Sequence, residues 1–413
     1  MRRVVITGAG VVSPLGDSRA ALHAALCGGR SAAKPLELFG DEKLGCTLAC
    51  EITDFDARKY LGGRNLRPLD RTARLVASAA RLALEDSGFG VETLAREAVG
   101  LVLGTMFGSL RTISEFDRRA LTAGPTYASP MDFANTVISA AAGQTAIMHG
   151  LRGVNSTVST GASSGLQAIA YAADLIRAGS ARALLAGGAE ELCFESFYGF
   201  DRAGLLCPSN NSAPVKYPIP FDARRGGFLL GEGAALLMLE DASRARERGA
   251  HVLAEVKGVG SAFDPSRGKD DGKAVAAEAR AARLALEDAQ LQPASIDCLS
   301  ASANGSLCAD RREAYAIADV FASAARKFPV TAVKSMLGET LGAAGALQVV
   351  ALTETMRDGV LPGIRGLEET DGDFPPVVAS PQNRRVDVSF GLVNSNGFDG
   401  HSSSLVLARP SRR

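Results

Sequence analysis

The chain has 413 residues and no tryptophan, and aromatic residues make up only 6% of it. Smaller side chains must therefore fill its interior. Alanine and glycine are abundant, which suits close packing of helices on strands in a layered α/β core. There is no charge excess either: 45 Lys plus Arg balance 45 Asp plus Glu. Net neutrality removes any global reason to expect nucleic acid or an anionic membrane as partner. No apolar run approaches the roughly 18 residues of a membrane span. The N-terminus, MRRVVITGAGVV, is broken by glycines too early for a signal peptide. The seven cysteines are odd in number and irregularly spaced. Cys46 and Cys50 have no second Cys/His pair at zinc spacing, so they read as reduced thiols. The expectation is a cytoplasmic protein without a metal or cofactor.

Short apolar runs such as Val99–Gly104, Ala183–Gly187 and Ala234–Glu240 alternate with helical patterns such as Arg71–Ser87, Ser163–Ala178 and Lys273–Ala289. Alternation of this kind predicts an α/β fold with buried, largely parallel strands. The chain also echoes itself. ARLALED stands at Ala80–Asp86 and again at Ala282–Asp288, and GASSGLQ at Gly161–Gln167 is answered by GAAGALQ at Gly342–Gln348. Two echoes in matched order indicate a duplication, with halves 1–251 and 252–413 related by a pseudo-twofold axis.

The segment Asn155–Gly165 (NSTVSTGASSG) reads as a strand turning tightly into a buried helix. Free N–H groups and the helix dipole at such a turn would stabilise a thiolate or an oxyanion. The residue at the turn is Ala162, which offers no chemistry. Its neighbour Ser163 satisfies G-x-S-x-G, the nucleophile-elbow pattern. A serine acyltransferase or hydrolase on Ser163 is therefore one reading, with His251 or His401 as the downstream base. The other reading makes Ser163 a helix-start hydroxyl that caps free N–H groups. Gly8-Ala9-Gly10 lacks the third glycine of a dinucleotide-binding fingerprint and reads as a structural turn. Cys308 has no obvious cation beside it and reads as a packing thiol.

Five segments carry a resemblance: the opening VVITGAGVVSPLG, Gly187–Glu190 (GGAE), Phe221–Gly233 (FDARRGGFLLGEG), Lys334–Gly345 (KSMLGETLGAAG) and Asn394–Gly400 (NSNGFDG). In this order and over the whole chain, they resemble the type II β-ketoacyl-ACP synthases, condensing enzymes of thiolase fold. The resemblance implies a duplicated five-layer α-β-α-β-α architecture. It also implies a Cys in a T-A-C-x-S-G turn, a His in N-A-H-G-T and a second His in K-S-x-x-G-H. The Cys takes the acyl chain, and the two His bind the malonyl thioester carbonyl and assist decarboxylation.

Laid on those motifs, the Cys position is Ala162 and the second His position is Glu339. The first His position is Asn304, or Ser302 if no gap is placed before Asp310. Lys334 is retained, as is the turn Gly397–Gly400. Asn396 stands where the fatty-acid enzymes carry a gating Phe. An anion at residue 339 would repel a malonyl carboxylate and an enolate alike. The pattern resembles the chain-length factors, ketosynthase-β subunits that pair with an active ketosynthase. Those commonly carry Gln where Ala162 stands. Such pairs serve aromatic polyketide and aryl-polyene pathways. The resemblance thus implies a heterodimer with an active ketosynthase, reached by an acyl carrier protein through the complex. Phe107, Asp132, Phe133, Asn396 and Phe398 would lie at the acyl tunnel or the interface. The strand within Ser180–Gly188 would pair across the twofold axis, and Glu190 and Asp222 would hold turns.

Overall fold

A computed structural model describes residues 2–40, 44–90, 98–209, 217–375 and 377–410. Ten strands form one sheet: β1 (Val4–Val12), β2 (Gly100–Gly104), β3 (Asn155–Val158), β4 (Ala183–Glu190), β5 (Gly233–Asp241), β6 (Ala254–Phe263), β7 (Cys298–Ser300), β8 (Val330–Thr331), β9 (Phe390–Asn396) and β10 (His401–Ala408). Their spatial order is β8-β7-β9-β10-β6-β1-β5-β4-β2-β3. The longer helices are α1 (Arg71–Asp86), α2 (Leu110–Ala123), α3 (Ser164–Arg177), α4 (Asp271–Ala289), α5 (Leu307–Phe321) and α6 (Ala344–Asp358).

The sheet is two five-stranded halves that meet where Val4–Ile6 of β1 pairs antiparallel with Ala254–Val256 of β6. Each half repeats the other's pairings. β2 runs parallel to β3 and β4, as β7 does to β8 and β9. β5 runs antiparallel to β1 and β4, as β10 does to β6 and β9. The strands are therefore mixed rather than largely parallel. The hairpin through Gly397–Gly400 reverses β9 into β10, and alternation along the sequence does not reveal such a return. Helices α3 and α6 lie between the halves, with α1 on one outer face and α4 and α5 on the other. This is the five-layer order α-β-α-β-α.

The echoes occupy equivalent places. A Cβ added to Gly10 of β1 would stand 1.9 Å from the Ala79 carbonyl oxygen and 2.4 Å from Ala83 N of α1. One added to Gly260 of β6 would stand 2.1 Å from the Ala281 oxygen and 2.5 Å from Ala285 N of α4. Each ARLALED helix thus crosses its strand over a glycine that leaves no room for a side chain. Gly8 and Gly10 lie within β1, so they do not form the turn expected there. In the central layer, a Cβ on Gly345 of α6 would meet Leu166 Cβ of α3 at 2.7 Å, and one on Gly165 of α3 would meet the Gly342 oxygen at 2.4 Å.

One expectation about pairing fails. β4, which contains most of Ser180–Gly188, is hydrogen-bonded on both edges, to β2 and to β5. It has no edge to offer a second chain. The partly exposed strand at that end of the sheet is β3, which among the described residues pairs only with β2. Among the described residues no helix is long and apolar enough to cross a membrane.

Candidate functional site

The turn after β3 is built by short side chains folded back on their own backbone. Ser163 Oγ donates to the Thr160 carbonyl at 2.7 Å, Ser164 Oγ donates to the Gly161 carbonyl at 2.6 Å, and Thr160 N donates to Ser164 Oγ at 2.8 Å. Gly161 takes the left-handed conformation, φ +59°, that glycine adopts at low cost. Ala162 is fully buried. The C-terminal turn closes over it: Ser395 Oγ donates to the Ala162 carbonyl at 3.3 Å, and a Cβ on Gly397 would lie 3.6 Å from Ala162 N.

Beside this turn the structure brings Asn304, Lys334 and Glu339 together. Glu339 Oε2 accepts from Lys334 Nζ at 2.8 Å and from Asn304 Nδ2 at 2.9 Å, and Oε1 accepts from Leu341 N at 3.1 Å. Leu341 reaches that position with φ +48°, a backbone region unfavourable for a branched residue. The Lys334 and Glu339 side chains are 3% and 1% exposed, so this is a buried ion pair with its charges matched. Ser302 also belongs to the cluster. Its hydroxyl lies 3.3 Å from Lys334 Nζ and accepts from Asn396 N at 2.9 Å. Asn304 faces Glu339 directly, whereas Ser302 reaches it only through Lys334.

Two carboxylates behind the pocket carry no obvious motif. Asp310 accepts from the backbone N–H groups of Phe221, Asn304 and Gly305, and so fixes the Asn304 turn. Glu313 accepts from Ser302 N and Asn394 Nδ2. Burial pushes the Asp310 carboxyl up to about 6 and the Glu313 carboxyl up to about 7. A sequence signal for both did exist. They stand three apart on one face of α5, among the buried positions Ala314, Ile317 and Phe321.

The tunnel and interface candidates divide into two groups. Phe398 stacks on Phe228 with ring centroids 5.3 Å apart and meets Phe200 edge-on at 5.5 Å. Phe107 meets the same Phe200 at 6.4 Å. Phe107 and Phe398 therefore belong to one aromatic cluster, while the Asn396 backbone bonds to Ser302. Asp132 and Phe133 lie elsewhere, on the outside. Phe133 is 62% exposed and packs against Phe116, and Asp132 faces Arg119 at 3.6 Å.

The serine arrangement is only half assembled. His401 Nδ1 lies 2.9 Å from Asp399 Oδ2, the orienting half of a triad, and Asp399 abuts Gly161. Ser163 Oγ, however, bonds to Thr160, and no histidine nitrogen is among its partners. The His401 ring packs instead against Phe263, with centroids 4.7 Å apart. Asp222 does hold a turn, accepting from Arg224, Glu368 N and Glu369 N, and these bonds keep its carboxyl low at about 2 against the opposing pull of burial. Cys308 is exposed rather than packed.

Comparison with known proteins gives this architecture its class. The beta-ketoacyl synthase N-terminal domain matches residues 1–245 and the beta-ketoacyl synthase C-terminal domain matches residues 253–368, so the chain belongs to the beta-ketoacyl synthase family. Among curated relatives, it is 34% identical over 412 residues to a 3-oxoacyl-[acyl-carrier-protein] synthase 2 of Coxiella burnetii, covering 99% of both chains. It is also 34% identical over 427 residues to the tetracenomycin polyketide synthase ketoacyl synthase alpha subunit of Streptomyces glaucescens, covering 99% of this chain and 97% of that one. Among solved structures it superposes on the ishigamide ketosynthase/chain length factor with a TM-score of 0.91 and 33% identity, covering 99% of this chain and all of that one. The fold is the thiolase fold of these ketosynthases.

Proposed function

We propose that the chain is a ketosynthase-like subunit of chain-length-factor type. It lacks condensing chemistry of its own, pairs in the cytoplasm with an active β-ketoacyl synthase and shapes the acyl tunnel in type II polyketide, polyene or fatty acid synthesis. An acyl carrier protein serves the pair. The observation that carries this reading is the state of the Glu339 carboxylate. Acyl transfer needs a nucleophile that is also a good leaving group, and Ala162 is neither. Decarboxylation needs free donors for an enolate oxygen. Here Lys334, Asn304 and Leu341 N are all committed to Glu339. The pocket therefore holds an anion of its own where an anion would have to develop.

A partner is supported by the outside of the molecule. Half of the exposed large apolar side chains among the described residues fall between 121 and 147, including Leu121 at 86% and Ile147 at 79% exposure. That segment leads into β3, whose outer edge has no pairing strand among the described residues, and an open edge next to exposed apolar residues favours pairing with a second chain. The structural neighbour named as a ketosynthase/chain length factor supports the same reading. The interface assigned to Ser180–Gly188 on resemblance moves accordingly to Asn155–Val158 and the segment before it.

The test is to incubate the purified chain with acyl-ACP and malonyl-ACP, then to co-express it with its cognate ketosynthase. The chain alone should gain no acyl mass and make no product, and the pair should co-elute as a heterodimer. A stable adduct on Ser163 would replace this reading with the serine enzyme. A ketosynthase that works unchanged without this chain, while the chain elutes only as a homodimer, would end it.

A further inference from the structure

Glu190, the last residue of β4, is 1% exposed, and no cation lies within ion-pair distance among the described residues. Its carboxylate is nevertheless crowded with donors. Oε1 accepts from Thr105 Oγ at 3.1 Å and from Phe107 N at 3.0 Å. Oε2 accepts from Met106 N at 2.7 Å and from Gly342 N at 3.2 Å. Three of these donors belong to the loop after β2 that carries Phe107. The fourth belongs to the turn Leu341–Ala343, whose first residue donates to Glu339. The approach is tight, since a Cβ on Gly342 would stand 2.7 Å from both Glu190 Oε2 and Thr105 Cα. Phe107 in turn is the end of the aromatic cluster that runs through Phe200 to Phe398.

We propose that Glu190 is a positioning residue for tunnel depth: it clasps the Thr105–Phe107 loop to the Leu341–Ala343 turn and so fixes where the Phe107 ring stands. The inference rests on the tunnel-shaping reading above and adds the residue that sets the wall. A carboxylate suits this task because it accepts at four sites and donates at none, matching four converging donors. A carboxamide of the same shape would turn an NH2 group toward either Phe107 N and the Thr105 hydroxyl or Met106 N and Gly342 N, and each backbone N–H so faced would lose its acceptor. Burial pushes the Glu190 carboxyl up to about 7, while the four hydrogen bonds it accepts pull the other way.

The test compares Glu190→Gln with Phe107→Ala in the reconstituted pair, and reads hydrogen exchange in the chain alone. In Glu190→Gln the backbone amide that faces the new NH2, either Phe107 N or Met106 N together with Gly342 N, should exchange about tenfold faster, the value of one lost buried hydrogen bond. The products should shift to longer and less uniform chains, with turnover within about twofold of wild type. Phe107→Ala should lengthen the products without changing exchange at Gly342. Unchanged exchange at 106 and 107 in Glu190→Gln would overturn the inference whatever the products are. Lengthening by Phe107→Ala with an unchanged profile in Glu190→Gln would overturn the inference and leave the tunnel reading standing. No lengthening by either variant would remove the tunnel reading itself. If Glu190→Gln does not fold, Glu190→Asp carries the same comparison, since it keeps the acceptors and shortens the clasp by one methylene.

Discussion

The pocket around Ala162 and the segment from residue 121 to β3 differ in how their groups are used. Around Ala162 the central polar groups have partners in the same chain: Glu339 with Lys334 and Asn304, Ser302 with Asn396, Ser163 with Thr160. In the outer segment, large apolar side chains such as Leu121, Phe133 and Ile147 are left uncovered. The first region is finished as the chain stands, and the second is not. That contrast is what the proposed role as a partner subunit requires.

The largest effect should come from breaking the inner region. Lys334→Met leaves the Glu339 carboxylate buried without its cation and should cost about 3–5 kcal/mol of stability. The double variant Lys334→Met/Glu339→Leu should recover most of it, because paired removal leaves no orphan charge. Chemical denaturation of the two single variants and the double variant measures the coupling, and additive losses would show that the pair is not a unit.

The outer region should respond in the opposite sense. Ile147→Asp and Leu121→Asp should each weaken binding to the partner ketosynthase by about 2 kcal/mol, roughly thirtyfold. Each should change the chain's own stability by no more than about 0.5 kcal/mol. Titration of the pair by light scattering, beside melts of the chain alone, separates the two. Unaltered affinity would place the interface on another face.

A third variant sharpens the comparison through pH. Glu191 accepts a single backbone hydrogen bond, from Arg111 N, and burial pushes its carboxyl up to about 8. The native state therefore holds a proton that the unfolded chain, with an ordinary glutamate, releases near pH 4.5. Native protein binds more protons between those values, so stability falls as pH rises from about 4.5 to about 8. Glu191→Gln should flatten that slope, adding about 1–3 kcal/mol at pH 8 and almost nothing at pH 4. Melts across that range give the answer, and a slope unaltered by the substitution would mean that Glu191 is ionised in the folded chain.

The smallest effect is expected from restoring one atom of chemistry. Ala162→Cys should give no measurable condensation, because the donors near Glu339 stay committed. Slow acylation of the new thiol is the most it should show, by intact mass. Turnover comparable to a normal ketosynthase would mean that Asn304 and Glu339 are not the positions that matter.

Much of this was legible before the fold was known. The repeated ARLALED and the two glycine-rich echoes fall on equivalent elements because helix-on-strand crossings without side-chain room require small residues at fixed spacing. Asn304 (or Ser302), Lys334 and Glu339 come together in the sequence only through the resemblance to the ketosynthase motifs. Their mutual satisfaction was not readable, since residues 304 and 339 meet only through tertiary packing. Strand direction escaped for the same reason: alternation shows that elements recur but not which way a return connection brings them back. The interior place of β4 followed from pairing on both edges, which no local pattern encodes. Asp310 and Glu313 had only their place on an otherwise apolar helix face as a signal, and a charged residue on a helix reads as solvent-facing unless that face is known to be buried.

The Glu339 side chain has a kinetic consequence. Its carboxylate is tethered five residues from the ammonium group it occupies, so it competes there as an intramolecular rival at an effective concentration of about millimolar or more. Any free carboxylate or thioester entering the pocket must displace a competitor that never diffuses away. Simple analogues of the extender unit should therefore leave the melting temperature of this chain where it is.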